Sequence, residues 1–219
     1  MDLVIYIFSW KKVSNNAIKI YDEVAKVYDK VWLLNCDEHL TISDRNVIHA
    51  DDSYYFTKQF YTCLNHMKDN YNENHAFMNI VGDVTPSADW KNIIERIKYG
   101  FDNLNCGIVA PNVEFTSFSE NLEEYKDNYW FVKNTDCTAW SIHPKIVNFI
   151  LESEIYKFTN FGWGIDWICI EYCKKMGMNT LRDCNNIVYQ PQGTGYSSDK
   201  ADKEFKKVRL LWFGKYAKI

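Results

Sequence analysis

The chain has 219 residues, 47% of them hydrophobic, and a net charge of −4. These numbers describe one globular domain with a sizeable core and argue against a general electrostatic grip on nucleic acid. Seven cysteines without regular spacing, no leader-type segment after Met1-Asp2-Leu3 and no apolar run of membrane-spanning length lead us to expect reduced thiols and a cytoplasmic protein.

Leu3-Val4-Ile5-Tyr6-Ile7-Phe8 is a continuous apolar run, the signature of a strand buried on both faces. Ser14 is placed to cap a helix from 15 to about 28, with Ile18, Tyr21, Val24 and Ala25 on one face. Val31-Trp32-Leu33-Leu34 is a second buried strand, and this βαβ opening predicts a parallel α/β sheet. A short strand at Val47-Ile48-His49-Ala50 and a helix from 53 to about 67 follow. Ala76 to Val81 is another buried strand, with Gly82-Asp83 at its carboxyl end, the edge at which open α/β sheets bind ligands. Ser87 or Asp89 caps a helix through Ile97. Cys106 to Ala110 is a strand ended by Pro111. Residues 113–133 show no clear pattern and read as irregular. Residues 136–142 alternate like a strand, and 145–151 are helical. A helix from about 165 to 176 closes on Gly177. Ile187-Val188-Tyr189 is a last short strand, Gln192 to Tyr196 a loop, and a basic helix over about 199–216 ends the chain. The fold class expected is therefore a single α/β, Rossmann-like domain with a mostly parallel central sheet flanked by helices.

The most informative segment is Phe161-Gly162-Trp163-Gly164-Ile165-Asp166-Trp167. Two glycines around a tryptophan let backbone approach a ligand and offer a flat face on which a sugar ring can stack. An Asp at a helix start is a general-base candidate. Sugar platform and base together suggest glycosyl transfer; the same residues also read as a capped helix with a core tryptophan. Asp83, at its strand end, is placed either to hold a divalent cation bridging two phosphates or simply to make a turn. Gly193-Thr194-Gly195 can present backbone N–H groups to phosphate oxygens, with Tyr196 beside them to cover a nucleotide. Cys36-x-x-His39 and Cys63-x-x-His66 have the composition of a Cys2His2 zinc site, but one pair closes a predicted strand and the other lies within a predicted helix.

Five segments together resemble the GT-A class of glycosyltransferases, particularly its family-2-like and galactosyltransferase-like members. They are Ile5-Tyr6-Ile7-Phe8-Ser9-Trp10, Val81-Gly82-Asp83, Asp136-Cys137-Thr138-Ala139-Trp140, Phe161 to Asp166, and Val188 to Tyr196. The resemblance implies a nucleotide-sugar donor, a UDP-sugar first among them, whose nucleoside is held by Phe8, Ser9 and Trp10, with Lys11 on phosphate. It implies manganese or magnesium at the family's Asp-x-Asp motif, of which only Asp83 is present here, and at a histidine whose position is taken by Gln190. It places Asp166 as the base of an inverting single displacement, Trp163 and Gly164 against sugar, and the Gly193–Tyr196 loop over the diphosphate. The acceptor is left open: a glycan, a lipid-linked sugar, a protein side chain or, as in phage enzymes that this chain also resembles, hydroxymethylated cytosine in DNA. For DNA, the basic C-terminal stretch with Lys200, Lys203, Lys206, Lys207 and Arg209 would be the contact. The incomplete metal motif also allows a non-catalytic sugar- or nucleotide-binding module.

Overall fold

Strand β1 (Asp2–Trp10) runs through the middle of the molecule, and each residue from Leu3 to Phe8 is wholly buried. The computed structural model describes residues 1–114, 120–191 and 197–217. β1 pairs in parallel with β2 (Val31–Cys36) on one side and β4 (His75–Val81) on the other, and β3 (Val47–His49) extends the sheet beyond β2. The full order is β3-β2-β1-β4-β9-β6-β10-β8-β7, with β6 spanning Cys106–Glu114, β7 Asn121–Lys126, β8 Tyr129–Val132, β9 Ala139–Ile142 and β10 Asn179–Tyr189. The two-residue β5 (Thr85–Pro86) pairs with the end of β10. β9 runs against both β4 and β6, so it sits inverted between the parallel strands β3-β2-β1-β4 and the parallel pair β6-β10, while β8, β7 and β5 add antiparallel pairings at the β10 side. The mostly parallel α/β sheet expected from the sequence is the sheet observed.

Helices α1 (Ser14–Ala25) and α3 (Trp90–Asn103) cover one face; α2 (Phe56–Asn70), α4 (Pro144–Ser153) and α5 (Ile165–Lys175) cover the other. Tyr6 stacks on Phe77 at 5.2 Å, and Phe60 lies between Phe56 and Trp140 beneath α2. Helix α6 (Ser198–Leu211) continues into a π-helical turn (Trp212–Tyr216) and packs on α5. No helix among the described residues is long and apolar enough to cross a membrane.

Several local expectations are corrected. Ser14 does not cap α1: its hydroxyl donates to the Lys11 carbonyl at 3.4 Å, and Val13 holds the cap position. Pro111 does not end β6. β9 pairs only with Ile108 and Val109, so at Pro111 that flank asks for no N–H, and β10 continues alongside to Glu114. β10 is eleven residues long rather than three, because three of its residues bulge out between Asp183 and Ile187 and break the apolar alternation. Residues 136–138 form a turn, not strand: Asp136 accepts from the Thr138 N–H at 2.8 Å. All seven cysteines are free. His66 is taken by the aromatic core, 3.0 Å from the Tyr6 hydroxyl and 4.2 Å from the Trp32 ring centre, while His39 is exposed, so the zinc pattern does not assemble.

Within the stretch expected to be irregular, β7 and β8 form a hairpin. Its turn is Asp127-Asn128, with φ of 52° and 63°, the left-handed pair that matches the twist of two antiparallel strands. A β-branched side chain is disfavoured there. Asp127→Val is expected to lower stability by about 1–2 kcal/mol and Asp127→Gly to change it little. Urea unfolding midpoints at unchanged slope check this.

Candidate active site

Helix α5 opens on Gly164, whose φ of 93° is closed to most other residues. A methyl group there would also meet Phe205 at 2.9 Å and Val208 at 3.1 Å on α6, so the glycine sets both the turn and the approach of the last helix. The preceding loop is held from that same helix. The Glu204 carboxylate accepts from the backbone N–H of Asn160 at 2.8 Å, from that of Phe161 at 3.1 Å and from the Thr159 hydroxyl at 3.2 Å. Thr159 in turn accepts from the Gly162 N–H at 3.1 Å. Trp163 is partly buried between the two glycines.

Asp166 lies in the first turn of α5. Burial pushes its carboxyl up to about 7, and the neighbouring Asp136 adds to the rise. The N–H groups of the helix start pull the other way without cancelling it. The outcome is a carboxylate basic enough to take a proton near neutral pH.

Asp83 follows the carboxyl end of β4. Asn16 on α1 fixes its turn by donating to the carbonyls of Gly82 at 2.8 Å and Val84 at 3.1 Å. Gly82 permits the close pass of two strand ends, since a Cβ there would sit 2.6 Å from the Phe8 carbonyl oxygen. Burial raises the Asp83 carboxyl; the Gln190 side chain donates to it, and Asp136 adds negative potential. Its Oδ1 is buried without a hydrogen-bond partner among the described residues. Gln190, in turn, accepts from the Thr138 hydroxyl at 2.8 Å, and that hydroxyl also touches Asp136 at 2.5 Å. The Asn79 amide ties the Cys137 carbonyl at 2.6 Å and accepts from Trp140 at 2.6 Å, which seats the 136–138 turn beside β4.

Asp83, Asp136, Gln190 and Asp166 thus gather at the carboxyl edge of the sheet. Asp136 is the residue to which sequence reasoning gave no role, although its motif was noticed; it is the shared neighbour of Asp83 and Asp166. Arg182 on β10 is buried and lies within the field of Asp136. Glu204 and Asn16 carried no signal at all, because their partners are backbone groups far away in sequence.

At the end of β1 the four expected nucleoside and phosphate contacts separate. Phe8 is wholly buried, its ring 5.7 Å from that of Phe56, and presents no surface to a ligand. Ser9 is also buried, and its hydroxyl has no partner among the described residues, as is true of Thr135 next to Asp136. Trp10 is half-buried and Lys11 exposed. Gly193, Thr194, Gly195 and Tyr196 lie outside the described residues.

No protein-family model matches the chain, and no curated protein is detectably similar in sequence. Solved structures are similar in fold. One is GalNAc-T7 with UDP, GalNAc and Mn2+, at 10% identity and a TM-score of 0.63, covering 99% of this chain and 49% of that one. The chain therefore spans about half the length of that relative. Another is CMP:2-keto-3-deoxy-manno-octonic acid synthetase complexed with CTP, at 11% identity and a TM-score of 0.54, covering 98% of this chain and 100% of that one. At such identity the likeness is one of architecture, and the architecture is GT-A-like.

Proposed function

We propose that the protein is a nucleotide-sugar-dependent glycosyltransferase in which Asp166 is the catalytic base. The observation that carries this reading is the Asp166 carboxyl, raised to about 7 and set at a helix start beside Asp136, the neighbour it shares with Asp83, at the carboxyl edge of a GT-A-like sheet. In the reaction the acceptor hydroxyl oxygen forms a bond to the anomeric carbon. The bond from that carbon to the diphosphate oxygen breaks, its electron pair leaves with the diphosphate, and the acceptor proton passes to the Asp166 carboxylate. Attack opposite the leaving group inverts the anomeric centre. Trp163 supplies a stacking face for sugar, Trp10 borders the nucleoside, and Lys11 and the Gly193–Tyr196 loop meet phosphate.

A divalent cation fits the residues present. Asp83 has a buried oxygen in want of a partner, and its neighbours are oxygen donors of the type manganese and magnesium prefer. No group of three His, Cys, Asp or Glu side chains among the described residues makes a full cage. Asp83 with Gln190 would hold the ion, the remaining positions falling to the diphosphate, and when bound it would neutralise charge on the leaving group. Asp136 restrains Gln190 through Thr138.

Thermal shift with UDP- and GDP-sugars, with and without manganese, tests the donor assignment. One nucleotide sugar should raise the melting temperature, more with manganese than without. Asp83→Ala should erase the manganese increment and weaken donor binding by about tenfold to a hundredfold. An unchanged increment in that variant would remove Asp83 from the metal site, and no shift with any nucleotide would sink the transferase reading.

A further inference from the structure

Beside the base loop lies a groove of about 610 Å3 between α2, the 3-10 turn Ile155–Lys157 and α6. Tyr54, Lys58, Tyr156, Lys157, Phe158 and Lys207 line it. Tyr156 and Phe158 are 47% and 36% exposed, and both face this one groove. Tyr156 is braced edge-on by Tyr61 at 5.0 Å, and the Tyr61 hydroxyl is tied to the Ile150 carbonyl at 2.8 Å. A ring braced in this way offers a fixed platform for the apolar face of a sugar.

Three of the four charged side chains in the groove's lining are lysines, and the fourth is Glu204. Lys58 comes from α2 and Lys207 from α6, and neither makes an ion pair among the described residues; Lys58 lies 5.0 Å from the Tyr54 ring centre. Lys157 is paired with Glu154 at 2.6 Å. Glu204, the acidic residue of the lining, is turned onto the loop backbone. The groove joins the base loop directly. Thr159 and Asn160 belong to its wall, the Thr57 N–H donates to the Asn160 carbonyl at 3.2 Å, and the Tyr55 ring meets Phe161 at 5.0 Å.

We infer that this groove binds the acceptor and that the acceptor is an acidic glycan, its sugar rings on Tyr156 and Phe158 and its carboxylate or sulfate groups on Lys58 and Lys207. A neutral glycan would leave the two lysines without a role, and a nucleic acid calls for a denser basic track than this wall provides. The acceptor role rests on the transferase reading; the binding of an acidic glycan does not.

Binding to the full chain is measured by calorimetry with tetragalacturonate, a heparin-derived tetrasaccharide, maltotetraose and a thymidine tetranucleotide. At least one acidic oligosaccharide should bind roughly tenfold more tightly than maltotetraose and the tetranucleotide. Lys58→Glu with Lys207→Glu should weaken it by about tenfold or more while leaving UDP binding and the melting temperature unchanged. Equal affinity for maltotetraose, preference for the tetranucleotide, indifference to the charge reversals, or no binding of either acidic probe would overturn the inference. Acidic-glycan binding without any nucleotide binding would instead overturn the transferase reading and leave the groove standing.

Discussion

Asp166→Asn is expected to abolish transfer and, at pH 8, to make the protein more stable. Loss of a general base costs about 10²–10⁴ in rate, and the amide cannot accept the acceptor proton. The stability gain has the same origin. An Asp in the unfolded chain ionises near 3.8, whereas in the folded protein burial and Asp136 hold Asp166 protonated up to about 7. The folded state therefore binds the extra proton between those values. The stabilisation present below pH 4 is lost as pH rises through 7, and above that the folded protein carries an unfavourable buried charge. Asparagine carries no such charge. A part-exposed group loses some of this effect to solvent, so a gain on the order of 2 kcal/mol at pH 8 is expected. For a chain of this size that is roughly 4–8 °C in melting temperature, and it should vanish near pH 4. Calorimetry at the two pH values checks it. In the wild type, kcat/KM should climb with pH through about 7, since the base acts ionised. A variant with undiminished turnover, or with the same stability change at both pH values, would remove Asp166 from the role.

Glu204→Ala should lower turnover at saturating donor by about tenfold to a hundredfold without changing donor affinity. The carboxylate takes three donors from residues 159–161, and its removal takes this acceptor away from the Asn160 and Phe161 N–H groups. Unsatisfied buried donors cost about 1–3 kcal/mol each, less where water reaches them, so a stability loss of about 2 kcal/mol is expected. Glu204 touches neither Asp83 nor the end of β1, which is why the effect belongs to kcat. Glu204→Gln keeps an oxygen acceptor and should recover part of the rate. If donor affinity and kcat fall together, or if the glutamine variant is no better than alanine, the loop is not what Glu204 controls.

The central strands were legible because burial on both faces writes itself as apolar runs: Leu3–Phe8, Val31–Leu34 and Ala76–Val81 need no context. The helix of the base loop was equally plain, with glycine at its start and Gly177 at φ 64° after its end. The hairpin was missed because β7 is exposed along its whole length, so no apolar alternation marks it; its one cue is Asp127-Asn128. β10 was shortened because polar residues occupy its bulge. In the site, carboxylates at strand and helix ends could be found from position alone. Asn16, Thr138 and Glu204 could not, since each acts through a contact across 44 residues or more of chain.

The Glu204 clamp has a bearing on synthesis. Residues 159–164 leave the ribosome long before residue 204, so the sheet strands up to β10 can pair while the base loop still lacks its anchor. The geometry around Asp166 is thus set only once α6 has been made. A chain cut before α6 would keep the sheet and Asp166 but hold the loop that precedes Asp166 unfixed.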